Sequence, residues 1–135
     1  MVEPRVAYVV NNVSFFVSHR LPVAIAARSA GFKIRLFTGQ PGSITMESIA
    51  VEKLRGQKIK HQKCMFSGSG IQPLTEFIGL LQLIWFLLRF RPDLVHCASP
   101  KGVLYGGIAA RLCRVPGLLI AISGFGSLYI ENVKH

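Results

Sequence analysis

Apolar and polar positions along the chain alternate between two periods. Arg5 to Val10 is a continuous run of apolar, β-branched and aromatic residues, the pattern of a strand buried on both faces. Lys33 to Thr38 repeats the pattern. Lys58 to Cys64 does so in a shorter, basic form, and Leu94 to Cys97 and Leu118 to Ile122 complete a set of strands. Helical spacing fills the gaps. Ser18 is a candidate N-cap for a helix through Ala30, with Leu21, Ile25 and Ala26 on one side. Met46 to Leu54 is a modest helix closed by Gly56, Pro73 to Phe90 a long one, and Pro100 to Cys113 one rich in Gly and Ala. Asn11–Phe16, Thr38–Ser43, Ser67–Gly70 and Ser123–Ser127 read as loops.

Strict alternation of strand and helix with short links predicts a Rossmann-like, doubly wound parallel sheet of order 3-2-1-4-5. Helices on both faces would make three α/β/α layers in one domain of 135 residues. Such sheets bind ligands at the carboxyl edge, where the strand order reverses. Here the reversal lies between the first and fourth strands. Their loops, together with Ser123–Ser127, would enclose a crevice holding Asn12, Ser14, His19, Ser99, Lys101, Gly124 and Gly126. Amides, hydroxyls, a lysine and helix N-termini suit a diphosphate. Lys101 reads equally as a solvated rim lysine. His19 either reaches a ligand or caps a turn, the cap being the plainer reading. His96, in mid-strand, is better explained as core, as is at least one of Phe15 and Phe16.

The long third helix departs from the usual amphipathic pattern. From Phe77 to Leu88 only Gln82 is strongly polar, so it is apolar all round. That run spans ~18 Å, too short to cross a hydrocarbon core of ~30 Å. A small single-sheet domain cannot easily bury a helix on every side. Contact with a membrane surface or a partner is therefore expected, with Trp85, Leu88, Arg89 and Arg91 at headgroup level. Exposed, the same face also offers a route to a homodimer.

Charge sharpens this expectation. Sixteen basic residues stand against 6 acidic ones, for a formal net charge of +10, while half the residues are apolar. The excess calls for an anionic partner. The apolarity favours lipid headgroups or a phosphorylated ligand over nucleic acid, whose binders interleave aromatic and basic residues on a sheet face. Cys64, Cys97 and Cys113 have no metal-ligand spacing and read as free thiols of a reducing cytosol. The apolar stretch Val6–Val10 is too short for a signal peptide. The first loop lacks the glycine fingerprint of dinucleotide binding, which disfavours a nicotinamide enzyme. Asp93 lies at the wrong end of its strand for a triad, and no carboxylates pair.

Four segments carry a resemblance. Val9-Val-Asn-Asn-Val-Ser-Phe-Phe-Val-Ser-His-Arg-Leu-Pro22 and Ala30-Gly-Phe-Lys-Ile-Arg-Leu-Phe-Thr38 resemble the first two strand–helix units of GT-B glycosyltransferases of the family 4 type. Arg91-Pro-Asp-Leu-Val-His96, Ser99-Pro-Lys-Gly102 and Ala109-Ala-Arg111 resemble their fourth unit. Ser123-Gly-Phe-Gly-Ser-Leu-Tyr129 is similar to the glycine loop of members that extend polyprenyl-diphosphate-linked sugars. Nearly the whole chain is covered. The resemblance implies the acceptor-binding N-terminal domain of an enzyme of cell-surface polysaccharide or lipopolysaccharide synthesis. It would move a hexose from a nucleotide-sugar donor to a lipid-linked acceptor on the inner, cytoplasmic face of the cell membrane. Where many relatives carry a histidine before the glycine loop, this chain has Ser123, which joins His19 as a catalytic candidate. The family's nucleotide-sugar-binding domain is missing, so no cofactor is expected in this domain. The chain alone should not turn over, and it needs that domain or a partner subunit. The alternative is a non-catalytic membrane-docking subunit that recruits a separate donor-binding protein.

Overall fold

A computed structural model describes residues 4–40, 44–57, 59–67 and 72–121. Five strands form one parallel sheet: β1 (Arg5–Val10), β2 (Lys33–Gln40), β3 (Lys60–Ser67), β4 (Leu94–Ala98) and β5 (Gly117–Ala121). Their order is β3-β2-β1-β4-β5, as the alternation predicts. β1 lies between β2 and β4, with Tyr8 in register with Leu36 on one side and His96 on the other.

The period-two alternation of side chains along β1 divides the core in two. Val6, Tyr8 and Val10 face helices α1 (Val13–His19), α2 (Leu21–Ser29) and α3 (Ile44–Arg55), with Phe16, Ala24, Ala50 and Leu54 in the same cluster. Ala7 and Val9 face α4 (Pro73–Phe90) and α5 (Pro100–Leu112), and there meet Leu83, Leu87, Phe90, Ala109 and Ala110. The glycines of α5 bring it close to the sheet. A Cβ on Gly102 would stand 2.6 Å from the Val9 carbonyl oxygen, and one on Gly106 2.5 Å from Cys97 Sγ. Only a bare backbone fits there.

β2 and β3 run on to Gln40 and Ser67, past the expected ends at Thr38 and Cys64, and the first helix differs more. Instead of a loop to Phe16 and a helix capped by Ser18, α1 starts at Val13 with Asn12 as its N-cap. The chain then bends at Arg20, the C-cap of α1 and N-cap of α2. Pro22 explains the bend, since it has no N–H to give the preceding turn. The amino edge of the sheet is tied by Asp93, whose Oδ2 accepts from the Arg5 backbone N–H at 2.8 Å. Arg5 Nη1 in turn donates to the last carbonyl of α4, Phe90 O, at 2.7 Å.

Candidate functional site

At the reversal point, Asn11 and Ser99 join the ends of β1 and β4. Asn11 N–H donates to Ser99 Oγ at 2.8 Å, and Ser99 Oγ donates to Asn11 Oδ1 at 2.9 Å. The same Asn11 Oδ1 accepts from the backbone N–H groups of Lys101 and Gly102, both at 3.1 Å. Asn11 therefore caps α5 from another strand, a task Ser99 cannot perform from its own position. Ser99 has φ 68°, a left-handed conformation costly for a residue with a Cβ. The network around Asn11 holds it there.

The start of α1 is also filled. Asn12 Oδ1 accepts from Phe15 N–H and from Ser14 Oγ, both at 2.8 Å. Glu47, reaching over from α3, accepts from Val13 N–H at 3.0 Å and Ser14 N–H at 2.9 Å. Its side chain is buried, and its negative charge sits where the helix dipole favours one. Lys101 Nζ is ion-paired with Glu76 of α4, which is buried as well. Burial first, and then the charge of Glu76 and a hydrogen bond to it, raise the Tyr105 phenol pKa. Beside α1, a cavity of about 140 Å³ is lined by Ser14, Val17, Ser18, Met46, Ile49, Ala50 and Lys53.

The outer surface has a different character. Leu74, Phe77, Ile78, Leu81, Trp85 and Leu88 project from one side of α4, and Leu104, Ile108 and Leu112 from α5, all exposed. The opposite side of α4 carries Gly79, Leu83, Leu87 and Phe90 into the core. Gln82, the one polar residue of its middle, is used inward: its Oε1 accepts from Met65 N–H at 2.7 Å. By length and composition α4 could cross a membrane, but its inner side is seated on the sheet. The Arg89 guanidinium lies 4.9 Å from the Trp85 ring centroid, a cation–π contact at the exposed end of the row.

Basic residues gather at the amino edge of the sheet. Arg5, Lys33 and Lys60 open strands, while Arg28, Lys53, Arg55, Arg89 and Arg111 occupy the last turns of helices. Helices that run antiparallel to their strands place those last turns at the strands' amino ends, and the helix dipole favours cations there. Among the described residues, most of the Lys and Arg positions thus lie opposite the crevice.

Residues 5–133 match the family described as glycosyl transferase 4-like. The chain belongs to that family. No curated protein sequence matches it. Among solved structures it is similar to MurG of Acinetobacter baumannii, with TM-score 0.65 and 18% identity over 88% of this chain and 34% of that one. The calicheamicin glycosyltransferase CalG4 gives 0.60 and 14% over 98% and 38%. The zinc-inhibited form of the teicoplanin deacetylase Orf2 gives 0.60 and 13% over 84% and 65%. These likenesses establish the Rossmann-like fold that GT-B glycosyltransferases share, and the deacetylase shows that the fold also carries other chemistry. The chain spans about a third of the length of the two glycosyltransferases.

Within this glycosyl transferase 4-like domain, the described residues of the expected diphosphate site fall into separate contacts: Asn12 with Ser14, Ser99 with Asn11, and Lys101 with Glu76. Asn12 Oδ1, the Ser14 and Ser99 hydroxyls and the Lys101 ammonium each have a partner inside the domain. Lys101 is not a solvated rim lysine: it is mostly buried and ion-paired with Glu76. His19 is exposed, its ring stacked on Phe15 with centroids 4.4 Å apart and Nδ1 3.2 Å from Phe15 O. His96 is buried and stacked on Tyr8. Ser123, Gly124 and Gly126 lie outside the described residues. Trp85, Leu88, Arg89 and Arg91 are all exposed. Asn11, Glu47 and Glu76 were not singled out from sequence. Asn11 stood in the first loop as a possible signal, but the two glutamates lie in helices far along the chain from their partners.

Proposed function

We propose that this domain is the acceptor-binding half of a glycosyltransferase that moves a sugar from a nucleotide-sugar donor to a lipid-linked acceptor, polyprenyl-diphosphate or lipopolysaccharide. The donor would bind to a second domain or a partner subunit, without which this chain does not turn over. The observation that carries the reading is the row of exposed apolar side chains along α4 and α5 in a domain of this family. Laid on the cytoplasmic face of an anionic membrane, that row would be buried in the interface, with Trp85 and Arg89 at headgroup level. The basic amino edge supplies the electrostatic attraction. The carboxyl edge then opens beside the bilayer, where an acceptor's sugar can rise from the headgroups while its lipid follows α4.

The acceptor hydroxyl would be held near the donor's anomeric carbon, in a cleft completed by the second domain. His19, exposed at the end of α1, is the described candidate to take the hydroxyl proton. A docking subunit that recruits a separate donor-binding protein is the second reading. It is favoured by one observation: Ser99 and Lys101, two of the polar side chains expected at the crevice, already have partners inside the domain. The discriminating experiment uses a polyprenyl-diphosphate monosaccharide bearing a photoreactive group on the sugar. Crosslinks at the carboxyl edge, competed by unlabelled acceptor, support acceptor binding. Crosslinks confined to α4 and α5, without competition, leave only docking.

A further inference from the structure

Where α5 ends beside the start of β5, a cavity of about 320 Å³ is lined by Ala110, Arg111, Arg114, Val115 and Leu118. Both arginines and Leu118 are exposed, so the cavity is reached from solvent. Neither guanidinium has a carboxylate partner among the described residues. Glu47 is taken by α1, Glu52 by Arg55, Glu76 by Lys101 and Asp93 by Arg5. Two guanidinium charges at one cavity repel each other, and an anion between them removes that repulsion.

Arg114 also stands where another residue would serve the backbone better. α5 closes in a Schellman motif: Arg114 N–H donates to Arg111 O at 3.2 Å, and Val115 N–H to Ala110 O at 3.0 Å. Arg114 has φ 55°, the left-handed position that such motifs usually give to glycine. Capping therefore accounts for the turn but not for the arginine. A strained side chain at the mouth of a cavity points to use.

An apolar trough leads away from the arginines. Leu118 and Ile120 are in register with Val95 and Cys97, which belong to the core under α5, so they point to that same face. Both stay exposed, because β5 is the edge strand. Gly107 lies one turn before Ala110 and two before Arg114, on the same stripe of α5. A Cβ built on it would meet nothing within 4 Å, so the trough is open on the helix side too. On the next stripe, Ile108 and Leu112 continue the exposed row. Paired cations at one end and bare apolar surface beyond them match a phospholipid better than a free anion. The guanidinium fork suits its phosphate.

We propose that Arg111 and Arg114 hold the phosphate of one anionic phospholipid, whose glycerol and first methylenes lie in the trough over Leu118 and Ile120. The inference rests on the membrane-facing reading above and adds to it a site for a single lipid at the α5–β5 corner.

The probe is dihexanoyl phosphatidylglycerol, kept monomeric so that no bilayer is present, and titrated into the purified full chain by calorimetry. Inorganic phosphate is run alongside at matched ionic strength. The lipid should bind at least about tenfold more tightly than phosphate, and Arg111→Gln should weaken it at least about tenfold. Arg114→Gly should weaken it as much while raising the midpoint of urea unfolding, since glycine relieves the left-handed strain. Gly107→Leu, which fills open space, should weaken the lipid and leave phosphate unchanged. Arg28→Gln, on α2 at the other face of the sheet, should bind like the parent. Phosphate binding as tightly as the lipid would make this a free-anion site and overturn the proposal. So would equal losses in the Arg28 and Arg111 variants, which mark net charge alone, or an Arg114→Gly chain that is less stable yet binds as before. Vesicle binding without any response to the monomeric lipid overturns this site alone. Monomer binding without vesicle binding overturns the membrane reading and leaves the single-lipid site.

Discussion

Asn11 and Ser99 lie 88 positions apart and hold each other across the point where the strand order reverses. Each donates to the other, and Asn11 Oδ1 also closes the first turn of α5. The carboxyl edge of this domain is therefore a structural joint before it is a ligand site.

Asn11→Ala should remove both the α5 cap and the Ser99 tie, leaving Ser99 in its left-handed conformation unsupported. A loss of about 2 kcal/mol in stability is expected, at the upper end for a cap because two networks fail together. Asn11→Asp keeps an acceptor oxygen and adds charge that the α5 N-terminus favours, so it should cost less than half as much. Urea unfolding of the three proteins checks the order.

Lys101 and Glu76 form a buried pair. Removing one partner strands the other charge, so Lys101→Ala is expected to cost about 3 kcal/mol. The double variant Lys101→Met, Glu76→Leu should recover most of that loss, because apolar side chains of similar size replace both ions. Chemical denaturation of the two variants measures the recovery. If instead Lys101 serves mainly as an open phosphate ligand, the single variant would be near neutral in stability.

Two histidines should make stability depend on pH. Burial, opposed in part by Glu47 and helped by Lys63, lowers the pKa of His61, which bonds to Thr38 Oγ1 at 2.6 Å. Burial and then Arg20 lower that of His96. A depressed folded pKa means that the unfolded chain takes up protons first. The stability these groups contribute is present above their ordinary value of 6.5 and is lost as the pH falls through the folded values. Denaturation midpoints should drop as the pH is lowered past 6.5. His96→Phe should flatten that slope, while raising stability at acid pH by removing a buried group that must stay neutral.

Much of this architecture was legible from local pattern. Pro73 and Phe90 bound α4 as the sequence predicts, because proline suits a first turn and the apolar run then ends at Arg91-Pro92. The strand order followed from alternation alone. The first helix was misplaced because Asn12 and Ser18 are both good N-caps, and only packing of Phe16 under Tyr8 decides between them. The site was harder still. Glu47 over α1 and Glu76 under Lys101 are contacts between elements, set by how α3 and α4 lie on the sheet, and no short-range spacing encodes them. Those contacts, and not the loop residues alone, decide which polar groups at the crevice have partners inside the domain.

The central claim is that α4 and α5 lay a lipid-linked acceptor's domain on a membrane. Flotation of the purified chain with anionic vesicles, with and without a polyprenyl-diphosphate sugar, tests it most directly. Binding should occur, weaken with salt, strengthen with the acceptor, and fall at least about tenfold when Trp85→Glu and Leu88→Glu are combined. Equal recovery with and without lipid or acceptor, unchanged by those substitutions, would contradict the account.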